Sequence, residues 1–310
     1  MDKRLSVGIK LFIKSGVGRT KEKFVFQKVS KVIVILGQTA TGKSNLAVKI
    51  AKKINGEIIS ADSRQVYKRL DIGTGKITKK GMRGVSHHLL DVANPKKRFT
   101  VAEYKKLTEQ KIKEIISRGK IPIICGGTGF YIDAITKSVI FPEVPPNYPL
   151  RKKLALASDR VLMLKLKKLD PARARSIDQK NKVRLIRAIE ITKALGKVPK
   201  ITQATPVYKF IKIGLYLPPD KLEKKIEKRV KKMFDMGLLQ EIKKLKRAGV
   251  SDKRLRELGF EYWKPTEVKV IKQTLKYAKR QMTWFKRDKE IKWYDASKKI
   301  NLLKLLKDFD

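Results

Sequence analysis

The chain has 310 residues, and its 76 Lys and Arg against 29 Asp and Glu give a formal net charge of +47. A hydrophobic fraction of 42% is ordinary for a globular protein and argues against wholesale disorder. The single cysteine excludes an intramolecular disulfide framework and a multi-cysteine zinc site, and it is consistent with a reducing compartment. The basic excess indicates a polyanionic partner, nucleic acid before anionic membrane, unless the lysines only solvate the surface.

The termini and the apolar runs give no sign of a membrane segment. No run approaches the roughly 18 apolar residues of a membrane span, and the N-terminus lacks the apolar stretch of a secretory signal. We therefore expect a cytoplasmic protein without membrane association. Residues 1–30 are polar, basic and interrupted by glycine. We expect a basic, loosely ordered arm there, which either touches RNA or reflects the choice of start codon.

Short apolar runs alternate with helical patterns in the first half of the chain. Residues 31–36 and 121–125 are typical of strands buried on both faces of a parallel sheet, and residues 57–60 predict another strand. Helical spacing of apolar side chains covers residues 44–54 and 99–118. This alternation predicts an α/β fold with a doubly wound parallel sheet.

Composition changes near residue 141, where the sequence FPEVPPNYP holds four of the twelve prolines. We interpret this stretch as the entry to an insertion. Residues 151–200 are helical in pattern and carry 16 Lys and Arg against 4 Asp and Glu. The sequence therefore predicts a basic helical insertion at this point.

The last third of the chain returns to the pattern of the core. Residues 208–217 alternate with period two and predict a strand, whereas residues 221–236 and 268–286 predict helices, and residues 293–295 a last strand. The predicted domains are an N-terminal arm over residues 1–30, a core over residues 31–140 and 205–300, and the insertion over residues 141–204.

The strongest motif is GQTATGKS, which follows a predicted strand and opens a predicted helix. Its glycines let backbone N–H groups face a phosphate chain, Lys43 reaches the outer phosphate oxygens, and the Ser44 hydroxyl can bind Mg²⁺. The pattern fits a pyrophosphate ester as well as a nucleotide. Its candidate ligand-binding residues are Gly37, Gln38, Thr39, Ala40, Thr41, Gly42, Lys43 and Ser44.

Asp62 comes directly after the strand predicted at residues 57–60. It would therefore lie at the carboxyl edge of the sheet, beside the phosphate loop. A carboxylate there can bind Mg²⁺ or accept a proton. The alternative is that Asp62 only caps a following helix.

Four further signals are weaker. His87 and His88 favour a hydrogen-bonded structural pair over a metal site, and GGTGFY at residues 126–131 is a glycine turn that a ligand could approach. In VRLIRAIE, two arginines share a helical face that suits phosphates or base edges, or only solvent. The aromatic and cationic residues of RQMTWFKR suit stacking on bases or anchoring in the core.

Taken in order, GQTATGKS, SADSRQVY, DIGTGK, HHLLD, GGTGFY, VRLIRAIE, RVKKMFDMGL and RQMTWFKR resemble the tRNA dimethylallyltransferases, also called isopentenyl-tRNA transferases. The resemblance covers about residues 31–295. It implies a P-loop NTPase-like core with a helical insertion that grips the anticodon arm. It also implies transfer of a dimethylallyl group from dimethylallyl diphosphate to N6 of adenosine 37 in tRNA, with release of diphosphate and with Mg²⁺ as cofactor. We expect a monomer.

The resemblance also implies roles for individual residues. The phosphate loop would hold the diphosphate, with Ser44 as its metal ligand. Asp62 would be the general base on N6, Arg229 would pair with the diphosphate, and Thr128 would lie at the catalytic site. Contacts with tRNA would come from Asp62, Ser63, Arg64, Gln65, Thr128, Arg151, Val183, Arg184, Leu185, Ile186 and Arg187.

Two positions depart from the family pattern, which usually has proline where Gln38 stands and Ala-Lys-Pro where Gly75-Lys76-Ile77 stands. Neither departure removes a functional group. Three other functions fit parts of the sequence. They are a P-loop small-molecule or nucleotide kinase, a non-enzymatic RNA-binding ATP switch, and an adenylate isopentenyltransferase that acts on free AMP, although AMP needs few basic residues.

Overall fold

The computed structural model describes the greater part of the chain. It gives the backbone of residues 6–15 and 19–28, and both backbone and side chains of residues 30–199, 202–302 and 305. Within these ranges, no helix combines the length and the apolar character needed to cross a bilayer.

Two strands occupy most of the N-terminal region, where the sequence predicted a loosely ordered arm. Strand β1 (Ser6–Ser15) pairs antiparallel with β2 (Arg19–Lys28), with Ser6 opposite Lys28. Stretches such as KLFIK and KFVF are rich in the β-branched and aromatic residues that favour strands. Residues 1–5, 16–18 and 29 of the predicted arm lie outside the described residues.

A six-stranded parallel sheet organises the first of two compact units, which comprises Met1–Ser138 and Thr205–Asp310. Its strands are β3 (Lys31–Gly37), β4 (Gly56–Ala61), β5 (His87–His88), β6 (Ile121–Gly126), β9 (Lys209–Tyr216) and β10 (Lys292–Asp295). They lie in the order β10-β9-β3-β6-β4-β5, and all neighbours are parallel. The predicted α/β fold with a parallel sheet is confirmed.

Strand β3 shows why a continuous apolar run forms the centre of this sheet. Val34 and Leu36 pack in one hydrophobic cluster, whereas Ile33 and Ile35 pack in another. Because successive side chains of a strand point to opposite faces, a strand between two helical layers must be apolar at every position. The helices of this unit are α1 (Lys43–Lys53), α2 (Lys79–Met82), α3 (Val101–Ser117), α4 (Gly129–Thr136), α9 (Pro219–Asp235), α10 (Leu238–Arg247), α11 (Asp252–Leu258) and α12 (Glu267–Phe285).

The second unit, Val139–Ala204, is mainly helical. It contains α5 (Tyr148–Ala155), α6 (Asp159–Leu169), α7 (Pro171–Ser176) and α8 (Lys182–Leu195), together with a short antiparallel pair of β7 (Val139–Ile140) and β8 (Thr202–Gln203). Leu162, Leu166, Leu185 and Ile189 are fully buried and form the centre of its hydrophobic core. The unit therefore has a core of its own.

A buried carboxylate ties together the amino-terminal end of β4. Glu57 accepts hydrogen bonds from three side chains, those of His88 at 2.6 Å, Arg118 at 2.7 Å and Lys120 at 2.8 Å. Burial alone would raise the pKa of Glu57, but these hydrogen bonds outweigh it and lower the pKa to about 2. His87 bonds a backbone carbonyl at 2.8 Å. The two histidines are thus a structural pair, as expected.

Replacing Glu57 with Gln should destabilise the fold most near neutral pH. Because the folded-state pKa of about 2 lies below the ordinary 4.5, the ionised carboxylate contributes fully to the free energy of unfolding above about pH 4.5. That contribution is lost as the pH falls toward 2. Urea unfolding at about pH 7, 5 and 3 should show the difference between wild type and Glu57→Gln shrinking with acidity.

The control is Glu109→Gln, since Glu109 forms a partly exposed helical ion pair with Lys105. It should change the free energy of unfolding by less than about 1 kcal/mol. A cost of Glu57→Gln that is the same at every pH would contradict the assignment of Glu57 as an ionised hub.

Candidate functional site

The GQTATGKS loop joins β3 to α1 at the carboxyl edge of the sheet. Gly37, Ala40 and Gly42 have positive φ angles of 131°, 62° and 87°. In the described chain, α1 begins without a side-chain cap, so its first N–H groups have no side-chain partner there. Such a helix start can bind an anion. The Thr41 hydroxyl donates to the Gln38 carbonyl at 2.8 Å, and both side chains are buried. The loop thus offers its backbone to a ligand.

Lys43 is the first residue of α1, and its ammonium donates a hydrogen bond to the Gln38 carbonyl. Burial lowers the pKa of Lys43 to about 8; Cys125 and Asp62 oppose this shift, and Arg229 adds to it. An anion bound in the loop would favour the charged form. Anion binding and protonation of Lys43 are therefore linked.

Asp62 lies at the carboxyl end of β4 and lines the same cavity as Lys43. Its Oδ1 accepts the backbone N–H of Arg64 at 2.8 Å and that of Gln65 at 3.3 Å. Asp62 therefore caps a turn and not a helix, because the next helix, α2, begins only at Lys79. Both of these bonds go to Oδ1, so the cap leaves a role for Oδ2 as a base or a metal ligand open.

Ser63 and Thr128 meet beside Asp62. The Thr128 hydroxyl oxygen accepts the Ser63 N–H at 2.9 Å and lies 3.3 Å from the Ser63 hydroxyl. The Thr128 N–H donates to the carbonyl of Ala61 at 3.1 Å. The turn after β6 is thereby bonded to the turn after β4. The structure therefore brings together Asp62, Ser63 and Thr128, which were predicted to lie at or near the reaction centre.

Arg229 reaches the cavity from α9. Its Nη2 donates to the Thr74 carbonyl at 3.0 Å, and the Gln65 side chain donates to the same carbonyl at 3.4 Å. Burial lowers the pKa of Arg229, although Asp62 and Glu261 oppose the shift. Arg64, by contrast, donates to the Glu257 carbonyl at 2.9 Å, which gives its guanidinium an internal partner.

A buried carboxylate on α10 holds the loop that carries Thr74. Glu241 accepts the N–H groups of Asp71, Ile72 and Gly73 at 3.0, 2.8 and 3.1 Å. Gly75 then passes so close to Arg229 that a Cβ at Gly75 would lie 2.2 Å from its Nη2. The loop therefore determines where the Arg229 guanidinium can lie.

These residues surround a cavity of about 400 Å³. The predicted residues among its lining are Thr39, Ala40, Gly42, Lys43, Ser44, Asp62, Gln65 and Arg229. The cavity is also lined by Lys225, Tyr277 and Gln281, none of which was predicted from the sequence. A signal was available only for Lys225, which lies four residues before the predicted Arg229 on the same helix.

Glu261 is a fourth residue that was not predicted from the sequence, and it lies outside the lining of the cavity. Burial raises its pKa to about 7; Asp62 adds to this shift, whereas Arg64 and Arg229 oppose it. Its carboxylate lies against Gly259, where an added Cβ would be 2.6 Å from Oε2. Nothing in the sequence around Glu261 distinguishes it from the many surface carboxylates.

The donor atoms in the cavity fit a magnesium ion. Ser44 is exposed at the start of α1 and lines the cavity together with Asp62. A hydroxyl, a carboxylate and the oxygens of a bound diphosphate are the hard ligands that Mg²⁺ prefers. In the described ranges, no group of three or more His, Cys, Asp or Glu side chains could hold a metal ion.

The predicted tRNA contacts in the insertion have different surroundings. Arg151 donates two hydrogen bonds to buried Glu190, at 2.8 and 2.7 Å, and Arg187 donates a third. Arg184 is exposed and lies 3.8 Å from Asp178. Arg151 and Arg187 thus have partners within their own unit.

The prediction that Leu185 contacts tRNA is wrong. Leu185 has no exposed surface and packs in the core of the helical unit, whereas Val183 is 68% exposed. Ile186 is half-buried and packs against the same core. Helix α8 turns one face inward, so consecutive residues of VRLIR cannot all face RNA.

A family model described as IPP transferase matches residues 65–288 of this chain. The chain belongs to the IPP transferase family.

Relatives in this family span nearly the whole chain. A tRNA dimethylallyltransferase of Halothermothrix orenii is 38% identical over 93% of this chain and 96% of that protein. A tRNA dimethylallyltransferase of Bacillus subtilis is 38% identical over 87% of this chain and 92% of that protein.

Two solved structures are similar. The full-length tRNA isopentenylpyrophosphate transferase of Bacillus halodurans is 34% identical with a TM-score of 0.65, over 90% of this chain and 94% of that chain. A eukaryotic dimethylallyltransferase acting on tRNA is 28% identical with a TM-score of 0.72, over 86% and 74%.

Lys43 should make the binding of inorganic pyrophosphate depend on pH. The free chain loses the Lys43 charge as the pH rises through about 8. Lys43→Met should therefore raise the Kd about tenfold or more at about pH 7, and the ratio to wild type should approach one at about pH 10. Calorimetric titration measures both values. Lys49→Met, an exposed position on α1, serves as the control, and equal ratios at both pH values would argue against Lys43 as the anion ligand.

Two glycines allow a matched test of Arg229. Gly75 and Gly84 have φ angles of 57° and 81°, so alanine strains the backbone at both. A Cβ at Gly75 would displace Arg229. A Cβ at Gly84 would have no contact within 4 Å among the described residues, apart from its neighbours in the chain. We expect Gly75→Ala to raise the Kd for pyrophosphate by about tenfold and Gly84→Ala to leave it within about twofold. Equal affinities for the two variants would show that Arg229 does not bind the anion.

Proposed function

We propose that this chain is a tRNA dimethylallyltransferase, which moves the dimethylallyl group of dimethylallyl diphosphate to N6 of adenosine 37 in tRNA and releases diphosphate. One observation carries the proposal. A phosphate loop and the Asp62 carboxylate line a single cavity, in a chain whose relatives bear that name. A loop for phosphate and an acceptor for a proton are what transfer from a diphosphate to an amine requires.

The diphosphate side of the reaction needs positive charge. As the allylic C–O bond breaks, its electron pair leaves with the diphosphate, which gains negative charge in the transition state. The first N–H groups of α1, the Lys43 ammonium and the Arg229 guanidinium would stabilise that charge. The cavity lies beside the buried centre of the sheet, where such interactions are less screened than in water.

The amine side needs a base. The nitrogen at N6 forms the new bond to the allylic carbon, and its extra proton must leave. Asp62 Oδ2 would accept this proton, while Oδ1 keeps its two bonds to the turn. The adenosine must leave its stack to reach the cavity. Gln65 lines the same cavity and would contact that base.

Magnesium would be held by the Ser44 hydroxyl and the diphosphate oxygens. It supplies positive charge that stabilises the leaving group. The Lys43 ammonium and the Arg229 guanidinium would bind and orient the diphosphate.

The tRNA would be bound through the basic surface of the chain. Arg184 and Val183 are exposed on α8 and remain candidates for contact with the anticodon arm. Arg151 and Arg187 share one carboxylate, that of Glu190, so the three side chains together would contribute a single net positive charge to tRNA binding. The protein would act as a monomer in the cytoplasm, where tRNA is found.

Transfer can be tested directly. The chain is incubated with bulk tRNA and labelled dimethylallyl diphosphate, and in parallel with free AMP as acceptor. A third reaction offers labelled ATP as phosphoryl donor. Label should enter tRNA alone. Label in AMP would point to an adenylate isopentenyltransferase, and phosphoryl transfer from ATP to a kinase. Binding of tRNA without any transfer would point to an ATP switch.

Asp62→Asn separates a base from a cap. The Asn side-chain oxygen can still accept the Arg64 and Gln65 N–H groups, so the turn should persist, but Nδ2 cannot take a proton. We expect kcat to fall about 10²- to 10⁴-fold with little change in the affinity for either substrate. Single-turnover kinetics and separate binding titrations measure these quantities. If added Mg²⁺ restores turnover, Asp62 is a metal ligand instead, and a fully active variant would refute the base assignment.

A further inference from the structure

Gln281 is a buried amide on α12 that the proposed reaction does not use. Only 5% of the residue is exposed, yet it lines the cavity. Its Oε1 accepts the N–H of Thr39 at 2.8 Å, and its Nε2 donates to the carbonyl of Gly127 at 2.8 Å. The side chain therefore bridges the phosphate loop and the turn after β6.

The orientation of this amide follows from its partners. A flipped amide would place an NH₂ group against the Thr39 N–H and an oxygen against the Gly127 carbonyl, and neither pair can hydrogen-bond. Gly127 has no room for a side chain, because a Cβ there would lie 2.2 Å from Nε2. Tyr277, four residues earlier on α12, places its hydroxyl 3.4 Å from the same carbonyl. Two side chains of one helix thus fix this turn.

The bridge continues to the Asp62 carboxylate. Gly127 is followed by Thr128, whose hydroxyl oxygen accepts the Ser63 N–H at 2.9 Å. Ser63 follows Asp62, whose Oδ1 caps the same turn. Three hydrogen bonds and two links along the backbone therefore connect the amide of Thr39, at the diphosphate loop, to the residue proposed as the base.

We propose that Gln281 is a positioning residue that couples the phosphate loop to the Asp62 turn. This inference rests on the proposed function for its catalytic consequence, but its effect on anion binding does not. Gln281 takes up the Thr39 N–H and so sets the loop before the diphosphate arrives. Through Gly127 it also holds Thr128 in position to accept the Ser63 N–H. The distance between the leaving diphosphate and Asp62 therefore stays constant.

Gln281→Glu tests the bridge through a change of pH. A protonated carboxyl group offers an oxygen to the Thr39 N–H and an O–H to the Gly127 carbonyl, as the amide does. The ionised form has no donor and faces a carbonyl oxygen. Because this position is buried, we expect the pKa of the introduced carboxyl to rise from its ordinary value of about 4.3 into the range between about pH 6 and 8. We therefore expect kcat/KM for dimethylallyl diphosphate, relative to wild type, to rise about tenfold or more from about pH 8 to about pH 6. A residue that only fills space would show no such rescue.

Gln281→Leu removes both bonds and should show no rescue. It should lower kcat/KM about tenfold to a hundredfold at both pH values and weaken the binding of inorganic pyrophosphate. The matched controls are Gln273→Glu and Gln273→Leu, about two turns earlier on α12, which should behave as wild type. Thermal unfolding shows whether each variant is folded. If Gln281→Leu does not fold, the pH response of Gln281→Glu decides alone.

The outcomes separate this inference from the proposed function. A wild type that binds pyrophosphate but transfers no dimethylallyl group refutes the function, and the Kd for pyrophosphate then replaces kcat/KM in every comparison. A wild type that transfers the group, with a Gln281→Glu ratio that does not change between about pH 8 and 6, refutes the inference alone. Wild-type pyrophosphate affinity in a folded Gln281→Leu variant would refute it as well.

Discussion

The close approach of neighbouring strand ends is the constraint on which the candidate site depends. A Cβ at Gly37 would lie 2.1 Å from the Leu215 carbonyl oxygen, and one at Gly126 would lie 2.1 Å from that of Ala61. Glycine at these positions lets β3 end close beside β9 and β6 end close beside β4, while β6 also pairs with β3. The phosphate loop, Asp62 and the turn of Thr128 therefore border one cavity rather than three separate surfaces.

Buried carboxylates give this basic chain much of its internal order. Glu57 holds three cationic or imidazole groups, Glu190 holds two arginines, and Glu241 holds three backbone N–H groups and the hydroxyl of Tyr262. Acidic residues number only 29 against 76 basic ones. Because Glu57, Glu190 and Glu241 pair with groups inside the fold, they do not neutralise the basic side chains of the surface. That surface charge could bind a polyanion.

The sequence predicted the parallel sheet and the main helices well, because β-branched runs and 3.6-residue spacing report burial directly. It also placed Asp62 beside the phosphate loop from strand order alone. Helical spacing in the sequence separates Leu185 from Arg184 and Arg187, but a match to VRLIR as one block does not apply that spacing. The sequence could not reveal Gln281, because the partners of this buried amide lie 154 and 242 residues away in the chain and leave no local pattern.

The two hydrogen bonds to Asp62 Oδ1 have a thermodynamic consequence for catalysis. An unrestrained Asp side chain samples several rotamers, and ordering it at the moment of reaction would add an entropic term to the barrier. Here the backbone N–H groups of Arg64 and Gln65 restrict the carboxylate already in the folded chain. The rotamer entropy of Asp62 is therefore lost once, during folding, and not again in every turnover. Its Oδ2 is already oriented when each reaction begins.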